Sequence, residues 1–139
     1  MRQVRVCLGA LGLAFALAGS ASANQAKNLP LEKKVADADI VFIGTVSQIN
    51  VPDTRLIGSE HLALVHVDTI LKGEPGKDVN ILYGGGIYEL APLCCEANEI
   101  YLFFLRKDGR GIYETVSGPF GTYKIRQDRQ SFDWQIKKP

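Results

Sequence analysis

Histidine is scarce in this sequence of 139 residues, which contains only His61 and His66. Both fall on one predicted strand, an odd number of residues apart, so an unbroken strand sends their side chains to opposite faces. A shared metal site is therefore not expected. No Ser/His/acid or Cys/His arrangement can be assigned from spacing, and no catalytic carboxylate pair stands out among the 15 acidic residues. We expect a non-enzymatic protein without catalytic residues, a metal site or a cofactor.

Cysteine is also rare, and its placement excludes a conventional disulfide framework. Cys7 lies inside an N-terminal apolar run, where a lipid anchor is not expected, and the rest of the chain holds only the adjacent pair Cys94 and Cys95. Adjacent Cα atoms are about 3.8 Å apart across a trans peptide, below the usual separation in a disulfide. Three states of the pair stay open: a strained, redox-sensitive vicinal disulfide, an intermolecular bond, and unpaired thiols.

A second long apolar run is missing as well, so a membrane-spanning anchor is not expected. The N-terminal run, Val6 to Ala18, follows Arg2 and Arg5 and precedes Ala21-Ser22-Ala23. A positive start, a short apolar stretch and small residues before a cut are typical of a secretory signal peptide. We expect cleavage after Ala23 and a periplasmic or secreted product.

The predicted mature chain is a single domain. Residues 1–23 form the cleaved segment, and residues 24–139 carry 14 basic and 15 acidic side chains. Charge is uneven, because residues 101–139 hold 8 basic and 4 acidic side chains. We call six of these eight basic side chains the basic C-terminal patch and treat them as a candidate surface for a partner: Arg106, Lys107, Arg110, Lys124, Arg126 and Arg129.

The pattern of the mature chain is mainly β. A short helix is predicted from Asn28-Leu29-Pro30, with an apolar stripe at Leu31, Val35 and Ala38. Gly44 is predicted as a bulge within the first strand. Five or more short strands without an alternating βαβ pattern favour a small barrel over a parallel sheet. The predicted strands cover residues 39–49, 60–71, 79–83, 99–107, 112–116, 122–127 and 132–136.

Four stretches together resemble the netrin-like, tissue-inhibitor-of-metalloproteinase-like domain, and specifically small bacterial exported members of that group. They occur in the order Ala38–Val46 (ADIVFIGTV), Val67–Gly73 (VDTILKG), Tyr101–Leu105 (YLFFL) and Ser117–Gly121 (SGPFG). The resemblance covers roughly residues 31–126. It implies an OB-fold, which is a Greek-key barrel, with a short N-terminal helix.

The departures from that family limit what the resemblance implies about activity. Inhibitory members chelate a catalytic zinc through an N-terminal Cys-X-Cys, whereas the predicted terminus here is Asn24-Gln25-Ala26. The family also tends to join a cysteine before the "YL-F" strand to one near the later "S-G" strand, and no cysteine follows Cys95. The resemblance therefore implies the fold without that disulfide and without that activity.

Taken together, these patterns predict an exported binding or scaffolding module that contacts a protein or glycan of the envelope. One alternative is a thiol-redox or copper-handling protein that acts through Cys94 and Cys95. A further alternative is an inhibitor of a secreted hydrolase that works through its loops. The basic C-terminal patch is interleaved with aromatic residues, as in single-strand binding sites, but export and a near-neutral charge argue against nucleic acid.

Overall fold

The computed structural model describes residues 26–85 and 90–126, which form a closed five-stranded β-barrel with one short helix. In chain order the elements are α1 (Leu31–Asp37), β1 (Ile40–Val51), β2 (His61–Lys72), β3 (Asp78–Gly84), β4 (Ile100–Lys107), β5 (Tyr113–Thr115), a 3₁₀ helix (Gly118–Gly121) and β6 (Thr122–Lys124). The predicted signal peptide at 1–23 and the predicted strand at 132–136 lie outside the described residues.

The barrel closes because β1 pairs with a different strand along each of its two edges. It lies antiparallel to β2 on one side and to β4 on the other, and the order around the barrel is β1-β2-β3-β5-β4. The parallel pair β3 and β5 meets at Ile81 and Tyr113. The prediction of a mainly β, OB-fold-like barrel is therefore confirmed.

The outer edge of β4 is shared by two short strands. β5 pairs with its last residues, Leu105 to Lys107, and β6 pairs with Tyr101 to Phe103 near its start. The 3₁₀ helix lies between β5 and β6 in the chain, so the segment from Tyr113 to Lys124 follows β4 with one interruption. This arrangement places the start and the end of β4 beside different parts of the C-terminal region.

The two most apolar predicted strands lead one to expect both Ile43 and Phe103 in the core, which is confirmed for Phe103 and wrong for Ile43. Phe103 is fully buried, and its ring centroid lies 5.3 Å from that of Phe42, which is also fully buried. Ile43 is only half-buried, because successive side chains of a strand point to opposite faces and Phe42 takes the inward position. Aromatic contacts of this kind dominate the packing of a small core.

Gly44 marks an irregularity in β1, as predicted. The register between β1 and β2 shifts between Ile43 and Gly44. A Cβ atom on Gly44 would lie 2.5 Å from the carbonyl oxygen of His66 and 2.7 Å from Cγ1 of Val65. Glycine is needed here because β2 approaches the backbone of β1 too closely for a side chain.

The predicted apolar stripe of α1 is wrong at two of its three positions. Leu31 and Val35 are exposed, whereas Ala38 is buried as predicted and the buried residue within α1 is Lys34. The ammonium group of Lys34 donates hydrogen bonds to Asn28 Oδ1 (2.8 Å) and to the Tyr123 hydroxyl (2.6 Å). Because these bonds satisfy the ammonium group, the lysine can be buried where an apolar residue was expected.

Lys72 and Gly73, at the end of β2, contact the C-terminal end of α1. Nζ of Lys72 donates hydrogen bonds to the carbonyl oxygens of Val35 (2.6 Å) and Ala38 (2.5 Å) at the C-terminal end of α1. Gly73 has φ +73°, and a Cβ atom there would collide with the carbonyl oxygen of Asp39. The cation satisfies carbonyl groups that a helix end leaves without partners. Two of the stretches that carry the family resemblance therefore meet at this contact.

Candidate functional site

Two loops that are distant in sequence are held together by reciprocal arginine contacts. Arg55, in the loop 52–60 after β1, donates from Nη1 to the carbonyl oxygens of Arg110 (3.5 Å) and Gly111 (3.4 Å) in the loop 108–112 after β4. Arg110 in turn donates from Nη1 to the carbonyl oxygen of Arg55 (3.1 Å). We call this arrangement, together with the carboxylates that bind the two arginines, the loop clasp.

Three carboxylates complete the loop clasp. Arg110 donates to both carboxylate oxygens of Glu60 at 2.6 and 3.1 Å, and its Nε donates to Asp108 Oδ2 at 2.8 Å. Asp53 accepts hydrogen bonds from the guanidinium group of Arg55 at 2.6 and 2.9 Å. The side chains of Glu60 and Asp108 are 14% and 15% exposed, so these ion pairs are partly shielded from solvent.

The clasp shifts the pKa values of its members in the directions that favour charge. Hydrogen bonds from Arg110 and from the Ile57 N–H lower the pKa of Glu60, and hydrogen bonds from Arg55 lower the pKa of Asp53 to about 2. Burial alone would raise the pKa of Asp108, but hydrogen bonds from the Ile112 N–H and from Arg110 outweigh it and lower that pKa. The carboxylates therefore stay ionised near neutral pH.

A cleft of about 360 Å³ opens beside the loop clasp. One side includes Glu60 and Arg110 of the clasp, and the lining continues past the last residues of β3, Leu82 and Gly84, to β5. The strands β3 and β5, which both contribute to the lining, pair with each other at one position. The remaining described lining residues are Ala26, Gly85, Leu90, Ala91, Pro92, Arg106, Glu114, Thr115, Ser117 and Gly118.

A second ion pair lies in the cleft. Arg106 donates from Nε to Glu114 Oε1 at 3.0 Å, and its Nη2 lies 3.0 Å from the same oxygen. These side chains face each other across the β4–β5 pair, where Arg106 is directly opposite Glu114. The cleft therefore combines paired charges with apolar walls.

The structure divides the basic C-terminal patch between the two ends of β4. Arg106, Lys107 and Arg110 lie at its end, whereas Lys124 is paired opposite Tyr101 near its start. Arg126 is exposed beyond β6, and Arg129 lies outside the described residues. Among the described residues, Arg106 and Lys107 are therefore separated from Lys124 by most of the length of β4.

Most of the described cations in the patch are already in contact with protein groups. Lys124 lies 3.0 Å from Glu96 and 3.4 Å from Glu99, and its hydrogen bond with Glu96 raises its pKa. Nζ of Lys107 lies 5.3 Å from the centroid of the Tyr113 ring, within reach of a cation–π interaction. The positive charge that the sequence concentrates here is thus largely balanced within the fold.

The cysteine pair does not line the cleft. Cys95 is buried in the main core cluster, and Cys94 packs against that cluster from a partly exposed position. The two sulfur atoms lie within disulfide-bonding distance. The next residue, Glu96, donates its backbone N–H to the Tyr101 hydroxyl at 3.2 Å, which ties this segment to β4.

Neither histidine belongs to a cluster of potential metal ligands, since within residues 26–85 and 90–126 no group of three His, Cys, Asp or Glu side chains is placed so that it could hold a metal ion. His66 Nδ1 lies 3.0 Å from Asp78 Oδ1 on the neighbouring strand. His61 is exposed and lies near Tyr83, with 6.1 Å between the ring centroids. Within the same ranges, no helix has the length and apolar character that crossing a membrane requires.

Sequence reasoning missed five charged members of the loop clasp and the cleft: Asp53, Arg55, Glu60, Asp108 and Glu114. Arg55 and Glu60 lie in or beside a loop that the sequence did mark, through Pro52, Asp53 and Gly58. Their partner Arg110 is 55 and 50 residues away, however, and no local pattern reports such a contact. The predicted strand at 112–116 includes Glu114, but nothing in that stretch identifies the partner of its carboxylate.

The comparisons with known proteins add no family to this description. No protein-family model matches the chain, and no curated protein matches it. The site is therefore interpreted from its own geometry.

Proposed function

We propose that the chain is an exported, non-enzymatic binding module of the cell envelope or the extracellular space. The observation that carries this proposal is the loop clasp beside the cleft. OB-fold barrels bind polymers on their second and third strands and through the loops after their first and fourth strands. The loops 52–60 and 108–112 occupy those positions and are held together by Arg55 and Arg110.

The charges around the cleft favour a protein or glycan partner over a nucleic acid. A nucleic-acid groove needs unbalanced positive charge along its length. Arg106 and Arg110 are each bound to carboxylates, and the exposed side chain of Ile57 (67% exposed) adds apolar surface to the loop 52–60. A partner with mixed polar and apolar groups matches this surface.

The proposal is tested by reversing charges that do not hold the clasp together. The double variant Arg106→Glu, Lys107→Glu should weaken capture of the envelope partner, because Arg106 lines the cleft and Lys107, its exposed neighbour on β4, adds to the positive charge there. The matched control is Lys33→Glu, Lys77→Glu, which places the same change at exposed positions that do not line the cleft. Equal capture by both double variants and by the wild type would contradict a partner site at the cleft.

The cysteine pair supports a second candidate function, in which the chain handles electrons or copper(I). Thiolates are soft ligands that suit copper(I), and Cys94 is partly exposed while Cys95 is buried. Intact mass without reductant, before and after incubation with copper(I), tests this candidate. The variant Cys94→Ser, Cys95→Ser separates the two functions: a binding module retains its partner, whereas a redox or copper protein loses its activity.

A further inference from the structure

The pairing of β3 with β5 stops after one position, although both strands continue past it. Ile81 lies opposite Tyr113, and both strands then run on into residues that line the cleft. The next pair of a continued parallel ladder would be Leu82 with Glu114, and the described sheet does not contain it. The ladder therefore ends beside the cleft, which both of these residues line.

The backbone of Thr115, the last residue of β5, points toward β3. On the other side of β5, Val116 donates its N–H to the carbonyl oxygen of Phe104, and Ile112 accepts the N–H of Asp108 just after β4. Only every second residue of an antiparallel pair bonds to the residue opposite it. The even-numbered residues from 112 to 116 therefore bond toward β4, and Thr115 directs its N–H and C=O the other way.

The backbone of Leu82 points toward β5 by the same reasoning. Val67 on β2 donates its N–H to the carbonyl oxygen of Lys77, and the register between β2 and β3 is continuous from there to Ile81. The odd-numbered residues of β3 therefore bond to β2, whereas Leu82 directs its N–H and C=O to the opposite edge. That edge is the one that pairs with β5.

The C=O of Leu82 and the N–H of Thr115 thus face each other's strand without bonding to each other. In a continued parallel ladder this bond would help to pair Leu82 with Glu114, which is the pair that the described sheet lacks. Backbone N–H and C=O groups are strong hydrogen-bonding groups. A ligand that offers an N–H and a C=O at the spacing of a strand would satisfy both of them.

The side chains of the cleft favour a ligand that is recognised through its main chain. The described lining contains two carboxylates and two guanidinium groups, whose charges cancel: Glu60, Glu114, Arg106 and Arg110. The same described lining includes no aromatic ring on which the bases of a nucleic acid would stack. An extended peptide suits such a cleft, because its N–H and C=O groups recur along its whole length.

We propose that the cleft binds an extended peptide segment of the partner protein, which lies as an added strand along the ends of β3 and β5. In this mode of binding, main-chain hydrogen bonds supply affinity and neighbouring side chains supply specificity. Glu114 follows Tyr113, which packs against the core, so the Glu114 side chain points outward beside the peptide. The inference rests on the proposed function and narrows its partner from a protein or glycan to a peptide.

The test uses the purified exported protein and peptides selected on it from a displayed random library. A selected peptide is synthesised, and its dissociation constant is measured with the variants Thr115→Pro and Thr115→Val. Both variants lose the hydroxyl that donates to the carbonyl oxygen of Gly118, but only proline also lacks the N–H. Since one further hydrogen bond is lost, Thr115→Pro should bind the peptide about two- to tenfold more weakly than Thr115→Val. If Thr115→Pro fails to fold, N-methylation of the central residues of the peptide removes the opposite donors and should weaken binding by a similar factor.

Amide hydrogen exchange gives a second readout, because a bound strand should slow exchange of the Thr115 N–H and leave that of Thr69 on β2 unchanged. A peptide that binds both variants equally and does not slow this exchange overturns the added strand, and the partner site at the cleft stands if Arg106→Glu, Lys107→Glu weakens its binding. If no peptide is selected and soluble envelope polysaccharide slows the exchange instead, the cleft binds a glycan and this inference alone is overturned. Slowing by neither ligand overturns the inference and the proposed partner site together.

Discussion

The guanidinium group of Arg110 contacts both carboxylate oxygens of Glu60, at 2.6 and 3.1 Å, and so joins the loop after β4 to the start of β2. The two residues are 50 positions apart in the chain. Since Arg110 also donates to Asp108, little of its hydrogen-bonding capacity is left for a partner. Arg110 belongs to the basic C-terminal patch, but its role is therefore to hold the two loops of the site together.

We predict that Arg110→Gln lowers the urea midpoint of unfolding by more than Lys33→Gln does. The first change removes contacts to Glu60, Asp108 and a backbone carbonyl in a partly shielded position. The second removes a solvent-exposed i,i+4 pair with Asp37, which contributes little. Equal effects of the two variants would show that the loop clasp adds nothing to stability.

The stability of the folded protein should also fall in acid, and protonation of the carboxylates of the loop clasp should account for part of this loss. The pKa values of Glu60 and Asp108 are lowered in the folded protein. Their stabilising effect is therefore complete above the unfolded-state pKa values of about 4 and is lost as the pH falls through the folded-state values. Glu60→Gln should flatten the decrease of the urea midpoint between about pH 4.5 and pH 2, whereas Glu32→Gln should not.

Truncating a fully buried side chain of the core should lower the free energy of unfolding more than truncating a half-buried side chain nearby. Phe103→Ala should lower the free energy of unfolding by about 3–5 kcal/mol, because it removes a fully buried ring and leaves a cavity against Phe42. The half-buried Ile43 is the matched comparison in the adjacent strand, and Ile43→Ala should cost clearly less. Chemical denaturation of the two variants checks the order, which the opposite ranking would refute.

Loss of the Lys72 ammonium group should loosen the end of α1. Lys72→Met keeps most of the side-chain volume but leaves the carbonyl oxygens of Val35 and Ala38 without this donor. Hydrogen bonds to charged groups are worth about 1.5–3 kcal/mol, so faster amide hydrogen exchange in α1 is expected. Lys77→Met, at an exposed position of the β2–β3 loop, is the control and should leave exchange in α1 unchanged.

The strands were predictable because each is marked by local features. β-branched and aromatic residues are concentrated in the strands, and turns that contain glycine or proline separate one strand from the next. The predicted and observed bounds of the first four strands therefore differ by two residues or fewer. The irregularity of β1 at Gly44 was predictable as well, because a glycine inside a strand pattern often marks a bulge or the close approach of another strand. The bounds of a strand can be read from the local sequence because successive side chains of a strand point to opposite faces.

The burial of Lys34 could not be predicted in this way. A lysine in a short helix is normally exposed, and its burial here depends on Asn28 and on Tyr123, which lies 89 residues away. The pairing of Arg110 with Glu60 likewise joins residues that are far apart in the sequence. Contacts of this type arise when the barrel closes, so the candidate site was only partly readable from the sequence.

The central claim is that a partner binds at the cleft beside the loop clasp, and site-specific photo-crosslinking tests it most directly. A photoreactive residue would replace Glu114 in the cleft or, as the control, Thr69, an exposed position on β2 that does not line the cleft. In cells that export the protein, the account predicts a discrete crosslinked product from position 114 and none from position 69. Products of equal yield from both positions, or from position 69 alone, would contradict it.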